Sequence, residues 1–220
     1  MKLIIGNKNY SSWSLRGWLA VKQSGLHFSE LTVPLMGEEW DRLKHDMDEM
    51  QPSSGKMPIL WDGEAVVWES MAIMEYLADK VGRERFWPKD NVARGMARSI
   101  VSEMHSNFQS LRNELPMNIR RRVELPGLSD QTKRDIVRIL GLWAEARARH
   151  GGAGPYLFGT FGAADIFYAP VVTRFVTYGI GVPGFAQAYM QAIWEHDWMA
   201  EWISAAGEEE WVIEQYEAVA

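Results

Sequence analysis

Cysteine is absent from this 220-residue chain. The protein therefore forms no disulfide of its own, and it has no thiolate metal site, thiol nucleophile or redox dithiol. Any thiol that takes part in its chemistry must arrive on a ligand.

Positive charge and long apolar runs are also scarce. The chain has 23 lysines and arginines against 29 aspartates and glutamates, and its formal net charge of −6 argues against a nucleic acid or an anionic membrane surface as main partner. Its one basic run is Arg120 to Arg122. No apolar stretch approaches the roughly 20 residues that span a bilayer, and residues 1–6 lack the layout of a signal peptide. We expect a cytoplasmic protein that binds neither nucleic acid nor membrane.

The composition, with 47% hydrophobic and 24% charged residues, is that of a globular chain and excludes collagen, coiled-coil and disordered classes. The first part of the chain alternates between short strands and helices. The predicted strands are 2–5, 28–33, 58–61 and 65–68, and the predicted helices are 12–24, 38–49 and 70–81. The predicted element order is βαβαββα.

Residues 82–90 indicate a linker, and the pattern after it is helical. Apolar residues recur every three or four positions from 96 to 115, which predicts one long helix that ends before Pro116. A second long helix runs through Trp143 to a glycine-rich stop at 151–155. Gly162 and Asp165 mark the start of another helix, as N-cap and third helical residue, and two shorter helices follow. We predict one domain over residues 1–82 and an all-helical domain over residues 91–220.

Four landmarks, in order, carry a family resemblance: Ser-Ser-Trp-Ser-Leu-Arg at 11–16, Pro-Ser-Ser-Gly-Lys-Met-Pro at 52–58, Glu-Ser-Met-Ala-Ile at 69–73, and Phe-Gly-Ala-Ala-Asp at 161–165. With the βαβαββα order and the helical remainder, the chain resembles the glutathione transferase superfamily over nearly its whole length. The resemblance implies a thioredoxin-like glutathione-binding domain followed by an all-helical domain. It also implies glutathione as co-substrate, no metal, a small electrophile as second substrate, and a homodimer.

The first landmark is most similar to the zeta class, which has two serines and an arginine five residues after the first. Trp13 and Trp18 depart from that class, which has a cysteine and a second arginine at these positions. The resemblance implies a glutathione S-transferase that conjugates the glutathione thiolate to an electrophile. Two alternatives stay open: a zeta-like glutathione-dependent cis/trans isomerase of the maleylacetoacetate isomerase type, and a non-catalytic protein that kept the fold for binding.

Ser11 and Ser12 are the catalytic candidates because they precede the first helix. Lowering a thiol pKa of about 8.5 by ~1 to 2 units needs roughly 1.4 to 2.7 kcal/mol, and a hydrogen bond to a charged group contributes about 1.5 to 3 kcal/mol. With the resemblance, we favour Ser11 as the donor to the sulfur and Ser12 as its substitute, with Ser12 capping the helix. Alternatively, either serine only caps the helix. Ser14 is expected to be structural.

Lys56, Met57 and Pro58 match the segment that carries a cis-proline in the family. The resemblance implies that the Met57 backbone pairs with the cysteinyl backbone of glutathione as an added strand, and that Lys56 meets the glycyl carboxylate. The alternatives are an ordinary trans proline at an edge strand and a solvated lysine.

Glu69 and Ser70 open a helix, where free N–H groups and a hydroxyl favour a carboxylate. The pair matches the zwitterionic end of glutathione, with Ser70 on the γ-glutamyl carboxylate and Glu69 on the amino group. Alternatively, they are only a favourable charge and a cap at a helix start.

The second substrate is expected against the first long helix of the helical domain, where Met104, His105 and Phe108 lie. A methionine and a phenylalanine at helical spacing equally indicate core, and a lone histidine a structural group. Arg16 is left out of catalysis, Asp165 is expected to be structural, and Glu208 to Glu210 are expected to form a solvated tail.

Overall fold

The computed structural model describes residues 1–152 and 154–219. Its first half contains β1 (Lys2–Gly6), α1 (Ser12–Ser24), β2 (Ser29–Val33), α2 (Glu38–Asp46), β3 (Ile59–Asp62), β4 (Ala65–Trp68) and α3 (Ser70–Val81). This is the predicted order. The strands form one sheet in the order β2-β1-β3-β4, in which β1 pairs parallel with β2 and antiparallel with β3.

Alternation along β1 divides the core of this half between the two faces of the sheet. Leu3 and Ile5 are fully buried in the cluster that includes residues of α1 and α3, whereas Ile4 packs with Val33 and Met50 on the opposite face. The sheet therefore holds the start of α1 and the start of α3 on its covered face, and both starts carry candidate site residues.

The helix bounds agree with the sequence at the end of α1 and differ at α2. Gly25 ends α1 in the left-handed region, with φ 70°. The helix predicted over 38–49 stops at Asp46, and a 3₁₀ turn follows at Asp48–Ser53. Pro52 disfavours the α conformation for the residue before it, and the Gln51 side chain instead donates to the carbonyl of Lys44 at 2.8 Å.

The second half of the described chain is helical. Its helices are α4 (Asn91–Ser106), α5 (Gln109–Glu114), α6 (Asp130–His150), α7 (Ala163–Thr177), α8 (Gly184–Trp194), α9 (Asp197–Glu208) and α10 (Glu214–Glu217). The predicted fold class, a thioredoxin-like unit followed by a helical domain, is confirmed. The domain limits at residues 82 and 91 remain predictions. No described helix is both long enough and apolar enough to cross a membrane.

The ends of α6 and α7 follow the sequence signals. Gly151 caps α6, at the start of the predicted stop at 151–155, of which residue 153 lies outside the described residues. Gly162 is the N-cap of α7, and its N–H donates to Asp165 Oδ2 at 2.9 Å. Asp165 also accepts from the Leu157 N–H at 3.1 Å, so its carboxylate joins a loop to a helix start.

The single helix predicted over residues 96–115 is wrong, because the structure breaks it between α4 and α5. Phe108 has φ 64° at the break, a conformation that costs energy for a bulky residue. The break is supported from α6, where Asp135 Oδ2 accepts from the Leu111 N–H at 3.1 Å. The apolar spacing continues through the break, which is why the pattern does not reveal it.

The solvated tail predicted at Glu208 to Glu210 is also wrong for Glu209. Its carboxylate accepts from the backbone N–H groups of Lys8 at 2.6 Å and Asn9 at 3.0 Å. Further on, Glu217 accepts from the Tyr10 hydroxyl at 2.5 Å. The stretch 209–219, here called the C-terminal segment, therefore folds back over the loop between β1 and α1.

Candidate functional site

The start of α1 places three serine side chains together. Ser11 is the N-cap, and its Oγ accepts from the Ser14 N–H at 3.2 Å. The hydroxyls of Ser11 and Ser14 share a hydrogen bond of 2.8 Å, and Ser14 Oγ accepts from the Gly6 N–H at 2.9 Å. The cap is therefore Ser11, which corrects the assignment of that role to Ser12, and the structural role expected of Ser14 matches these contacts.

Ser12 is the first helical residue of α1, and it is 6% exposed. Its hydroxyl has no hydrogen-bond partner among residues 1–152 and 154–219, whereas the Ser11 hydroxyl is held by Ser14. The two serines thus present different donors to the same space: one is fixed, and the other is free to turn.

The Met57–Pro58 peptide bond is cis, as predicted. Pro58 packs against α1 at Gly17, where a Cβ would lie 2.6 Å from the proline Cγ, so a larger residue there would displace Pro58. In the described part of the chain, the Met57 N–H and C=O have no backbone partner. The exposed Lys56 ammonium likewise pairs with no described carboxylate.

The start of α3 presents a polar group that the fold leaves unpaired. Ser70 is fully buried, and its Oγ has no hydrogen-bond partner among the described residues. Glu69, the N-cap, lies 3.4 Å from His105 Nε2 through its Oε2 atom. Burial lowers the pKa of His105, the neighbouring Glu69 raises it, and Arg16 and Arg112 lower it further.

These residues border two cavities. The first, called the Ser70 cavity, has a volume of about 470 Å³ and is lined by Trp13, Lys56, Met57, Pro58, Glu69, Ser70 and His105. The second, called the Ser12 cavity, has a volume of about 270 Å³ and lies between the two halves of the molecule. Its polar and aromatic lining includes Tyr10, Ser11, Ser12, Trp13, Arg112, Arg174 and Tyr216. Trp13 borders both cavities and separates them.

Trp13 is held by cationic and aromatic neighbours. The guanidinium groups of Arg16 and Arg112 lie 4.8 Å and 4.9 Å from its ring centroid, and the His105 ring meets it nearly edge-on at 5.3 Å. Arg16 is fully buried, and its Nε donates to the Phe167 carbonyl at 3.1 Å. Its Nη1 and Nη2 have no hydrogen-bond partner in the part of the chain that the structure describes. Burial, with Arg112 and Arg174 nearby, holds the Arg16 pKa well below its usual range.

The residues predicted to bind glutathione lie together in the structure, whereas those predicted to bind the electrophile do not. Lys56, Met57, Pro58, Glu69 and Ser70 converge on one cavity, with Ser11 and Ser12 on the adjoining one.

The electrophile residues do not come together. Met104 is fully buried in the core, Phe108 borders an outer cleft at the break between α4 and α5, and His105 lines the Ser70 cavity. The Ser12 cavity instead uses Arg112 and Arg174, for which the sequence carries no local signal. Trp13 was visible only as a departure from the zeta pattern.

Comparisons with known proteins agree with this architecture. Models of the glutathione S-transferase N-terminal and C-terminal domains match residues 10–80 and 126–207. Glutathione S-transferase 1 of Dianthus caryophyllus is 28% identical over 184 residues, covering 83% of this chain and 80% of that protein.

Two solved structures share the fold at low sequence identity. A glutathione transferase homologue from Burkholderia with bound glutathione has a TM-score of 0.68 and 20% identity, covering 95% of this chain and 98% of the other. A bacterial maleyl pyruvate isomerase described as zeta class has a TM-score of 0.70 and 21% identity, covering 95% and 99%. Because the two domain models together span most of the sequence in the expected order, the chain belongs to the glutathione S-transferase superfamily.

Proposed function

We propose that the protein binds glutathione in the Ser70 cavity and transfers its thiolate to an electrophile in the Ser12 cavity. The observation that carries this proposal is the fully buried Ser70 Oγ, which has no hydrogen-bond partner within residues 1–152 and 154–219. A buried hydroxyl without a partner costs about 1 to 3 kcal/mol, and a ligand carboxylate at the start of α3 removes that cost.

The Ser70 cavity matches glutathione group by group. The γ-glutamyl carboxylate meets Ser70 and the free N–H groups of the α3 N-terminus, and Glu69 takes the amino group. The Met57 N–H and C=O pair with the cysteinyl backbone as an added strand. Lys56, which no described carboxylate neutralises, takes the glycyl carboxylate.

The thiol then points past Trp13 toward the start of α1. Because hydroxyl hydrogens rotate, Ser14 can donate to Ser11 while it accepts from Gly6, and this leaves the Ser11 hydrogen for the sulfur. A hydrogen bond to the thiolate contributes about 1.5 to 3 kcal/mol, and the helix N-terminus adds about 0.3 to 1 kcal/mol. Ser12, with its unengaged hydroxyl, is the second donor.

A second candidate is glutathione-dependent cis/trans isomerisation of a conjugated diacid, in which the thiolate adds to the double bond and leaves again. Arg112 and Arg174 in the Ser12 cavity favour it because a diacid carries two negative charges. The similarity to a maleyl pyruvate isomerase fold adds support. The substitution at Trp13 counts against it, since the indole occupies space that a smaller residue leaves open.

Calorimetry and a conjugation assay test the proposal together. Wild-type protein is expected to bind glutathione below millimolar concentration and to conjugate it to an aryl halide such as chlorodinitrobenzene, whereas a maleyl diacid should isomerise slowly. Absence of binding at millimolar glutathione contradicts the proposal and favours a non-catalytic role. Rapid isomerisation without conjugation supports the second candidate instead.

The proposal includes a homodimer in the cytoplasm, in keeping with the family resemblance. Large apolar side chains stand exposed on β4, α4 and α6, where Trp68 is 44%, Val92 62% and Val137 70% exposed. Light scattering should return about twice 25.1 kDa. A monomer at micromolar concentration contradicts this part of the proposal.

A further inference from the structure

The Ser12 cavity carries positive charge that the fold does not neutralise. Arg112 and Arg174 line it, no described carboxylate lies on its wall, and neither arginine has a carboxylate partner in the described part of the chain. A cavity of this kind attracts anions, because a guanidinium group removed from water is stabilised by a carboxylate that it can bind through two N–H groups.

Both arginines are fixed by the protein but keep unused donors. Arg174 donates from Nε to the Leu115 carbonyl at 2.8 Å and from Nη1 to the Pro170 carbonyl at 2.9 Å, while its Nη2 makes no hydrogen bond with a described residue. Arg112 donates from Nε to the Asn107 carbonyl at 3.0 Å and from Nη2 to the Met104 and His105 carbonyls, and its Nη1 makes no hydrogen bond with a described residue. Burial lowers the pKa of Arg174 to about 9, with Arg112 as a second cause.

Part of the remaining cavity wall is aromatic or apolar. Trp13 lies under the Arg112 guanidinium, and Tyr10 and Tyr216 form an aromatic pair with ring centroids 5.9 Å apart. The fully buried Met117 side chain belongs to the same lining. These surfaces suit a planar ring, whereas a small aliphatic diacid leaves them uncovered.

We propose that the electrophile is an aromatic monoanion, with its ring against Trp13 and the tyrosine pair and its carboxylate on Arg112 and Arg174. This inference rests on the proposed function and narrows its substrate class. For a halogenated ring the step is a substitution: the glutathione sulfur forms a bond to the ring carbon, the carbon–chlorine bond breaks, and chloride leaves with the bonding pair. The thiol proton has already passed to solvent.

Two substrates that differ only in the carboxylate group measure how much that group contributes to the reaction. Chloronitrobenzoate, with chlorine ortho to the nitro group and para to the carboxylate, is compared with its methyl ester, and each kcat/KM is divided by the uncatalysed rate with glutathione at the same pH. The wild type is expected to prefer the acid by about 10-fold or more, the effect of one charge-assisted contact. Without the carboxylate contact, the two normalised values are equal.

Variants at Arg112 test whether this residue causes the preference for the acid over the ester. Arg112→Met should lower the normalised kcat/KM for the acid about 10-fold and change that for the ester less than about 3-fold. Arg112→Lys keeps the charge and should retain most of the preference. Arg134→Gln is the control, since Arg134 is an exposed residue outside the Ser12 cavity, and it should leave both values unchanged.

The failures of the inference and of the proposed function are distinguishable. The inference of an aromatic anion is wrong, and conjugation stands, in either of two cases. In the first, glutathione binds and the ester is conjugated, but the normalised kcat/KM of the acid is no higher than that of the ester. In the second, Arg112→Met lowers the normalised kcat/KM of both substrates equally. Isomerisation of an aliphatic diacid faster than conjugation of the benzoate also overturns the inference. No glutathione binding, or binding without conjugation of either substrate, overturns both.

Discussion

The Ser70 cavity and the Ser12 cavity adjoin at Trp13, yet they are built in different ways. The first takes nearly all its wall from two short motifs, at residues 56–58 and 69–70, with His105 added from α4. The second gathers residues from the start of α1, from α5 and the loop after it, from the last turn of α7 and from the C-terminal segment. A cavity built from two short motifs keeps its shape and suits one constant ligand. A cavity built from several distant elements changes its lining whenever one of those elements shifts or is altered.

The largest expected effect concerns Ser11 and Ser12, which line the Ser12 cavity. Ser11→Ala removes a donor to the thiolate and should slow conjugation about 10- to 100-fold, from a loss of about 1.5 to 3 kcal/mol, while glutathione binding stays nearly unchanged. Ser12→Ala should slow it less. Because Ser11 is also the cap of α1, its variant should lose about 1 kcal/mol of stability. Steady-state kinetics with both variants separates kcat from KM.

The outcome that reverses these roles is a larger loss in kcat for Ser12→Ala than for Ser11→Ala. Ser14→Ala serves as the intermediate case, since it removes the hydroxyl that orients Ser11 without touching the sulfur. It should lower kcat by less than Ser11→Ala does.

Ser70→Ala should act on affinity alone. We expect glutathione binding to weaken about 10-fold or more, because a hydrogen bond to a carboxylate is lost. The unliganded protein should not be destabilised, since Ser70 Oγ has no partner to lose. Calorimetry measures the first effect and thermal unfolding the second, with the exposed Ser102→Ala as control. A destabilised variant with normal affinity shows that Ser70 is only structural.

Glu217→Ala should disturb the Ser12 cavity and spare the Ser70 cavity. It removes the acceptor for the Tyr10 hydroxyl and for the Asn118 amide at 2.8 Å. Both donors belong to buried residues, so we expect a loss of about 1 to 3 kcal/mol in stability and a several-fold rise in KM for the electrophile. Glu214→Ala, an exposed position on the same helix, is the control. Weaker glutathione binding in Glu217→Ala contradicts the separation of the cavities.

The smallest effect is a pH dependence of glutathione binding through His105. Its lowered pKa keeps it neutral near pH 7. As the pH falls through this lowered pKa, which lies below the ordinary histidine value of about 6.5, His105 gains a proton and competes with the glutathione amino group for Glu69. Affinity should therefore fall a few-fold on the acid side and stay constant above it, by linkage. In His105→Gln, glutathione affinity should no longer fall at acid pH. If it still falls, a group other than His105 is responsible for the pH dependence.

Local signals explain how far the sequence predicted the fold and the site. The stop at Gly25 and the start of α7 at Gly162 each depend on a few neighbouring residues, whereas the cis bond at Pro58 was implied by the family resemblance. The residues that the Ser70 cavity takes from 56–58 and 69–70 lie in such motifs, and the resemblance named them, whereas it did not name Trp13 or assign His105 to this cavity.

Long-range contacts explain what the sequence did not reveal. The break at Phe108 depends on Asp135 of α6, and the position of the C-terminal segment depends on Glu209 meeting backbone N–H groups some 200 residues earlier. Arg174 lies in a helix that is buried along most of its length, where nothing distinguishes it from a structural arginine. The Ser12 cavity combines such residues, and only the folded chain brings them together.

The most direct measurement is an ultraviolet titration of the glutathione thiolate bound to wild type, Ser11→Ala and Ser70→Ala at saturating ligand. The account predicts that Ser11→Ala raises the pKa of the bound thiol by about 1 to 2 units, one charged hydrogen bond, and that Ser70→Ala leaves this pKa unchanged once the site is filled. A shifted pKa in Ser70→Ala together with an unshifted one in Ser11→Ala would contradict the division of binding and activation between the two cavities.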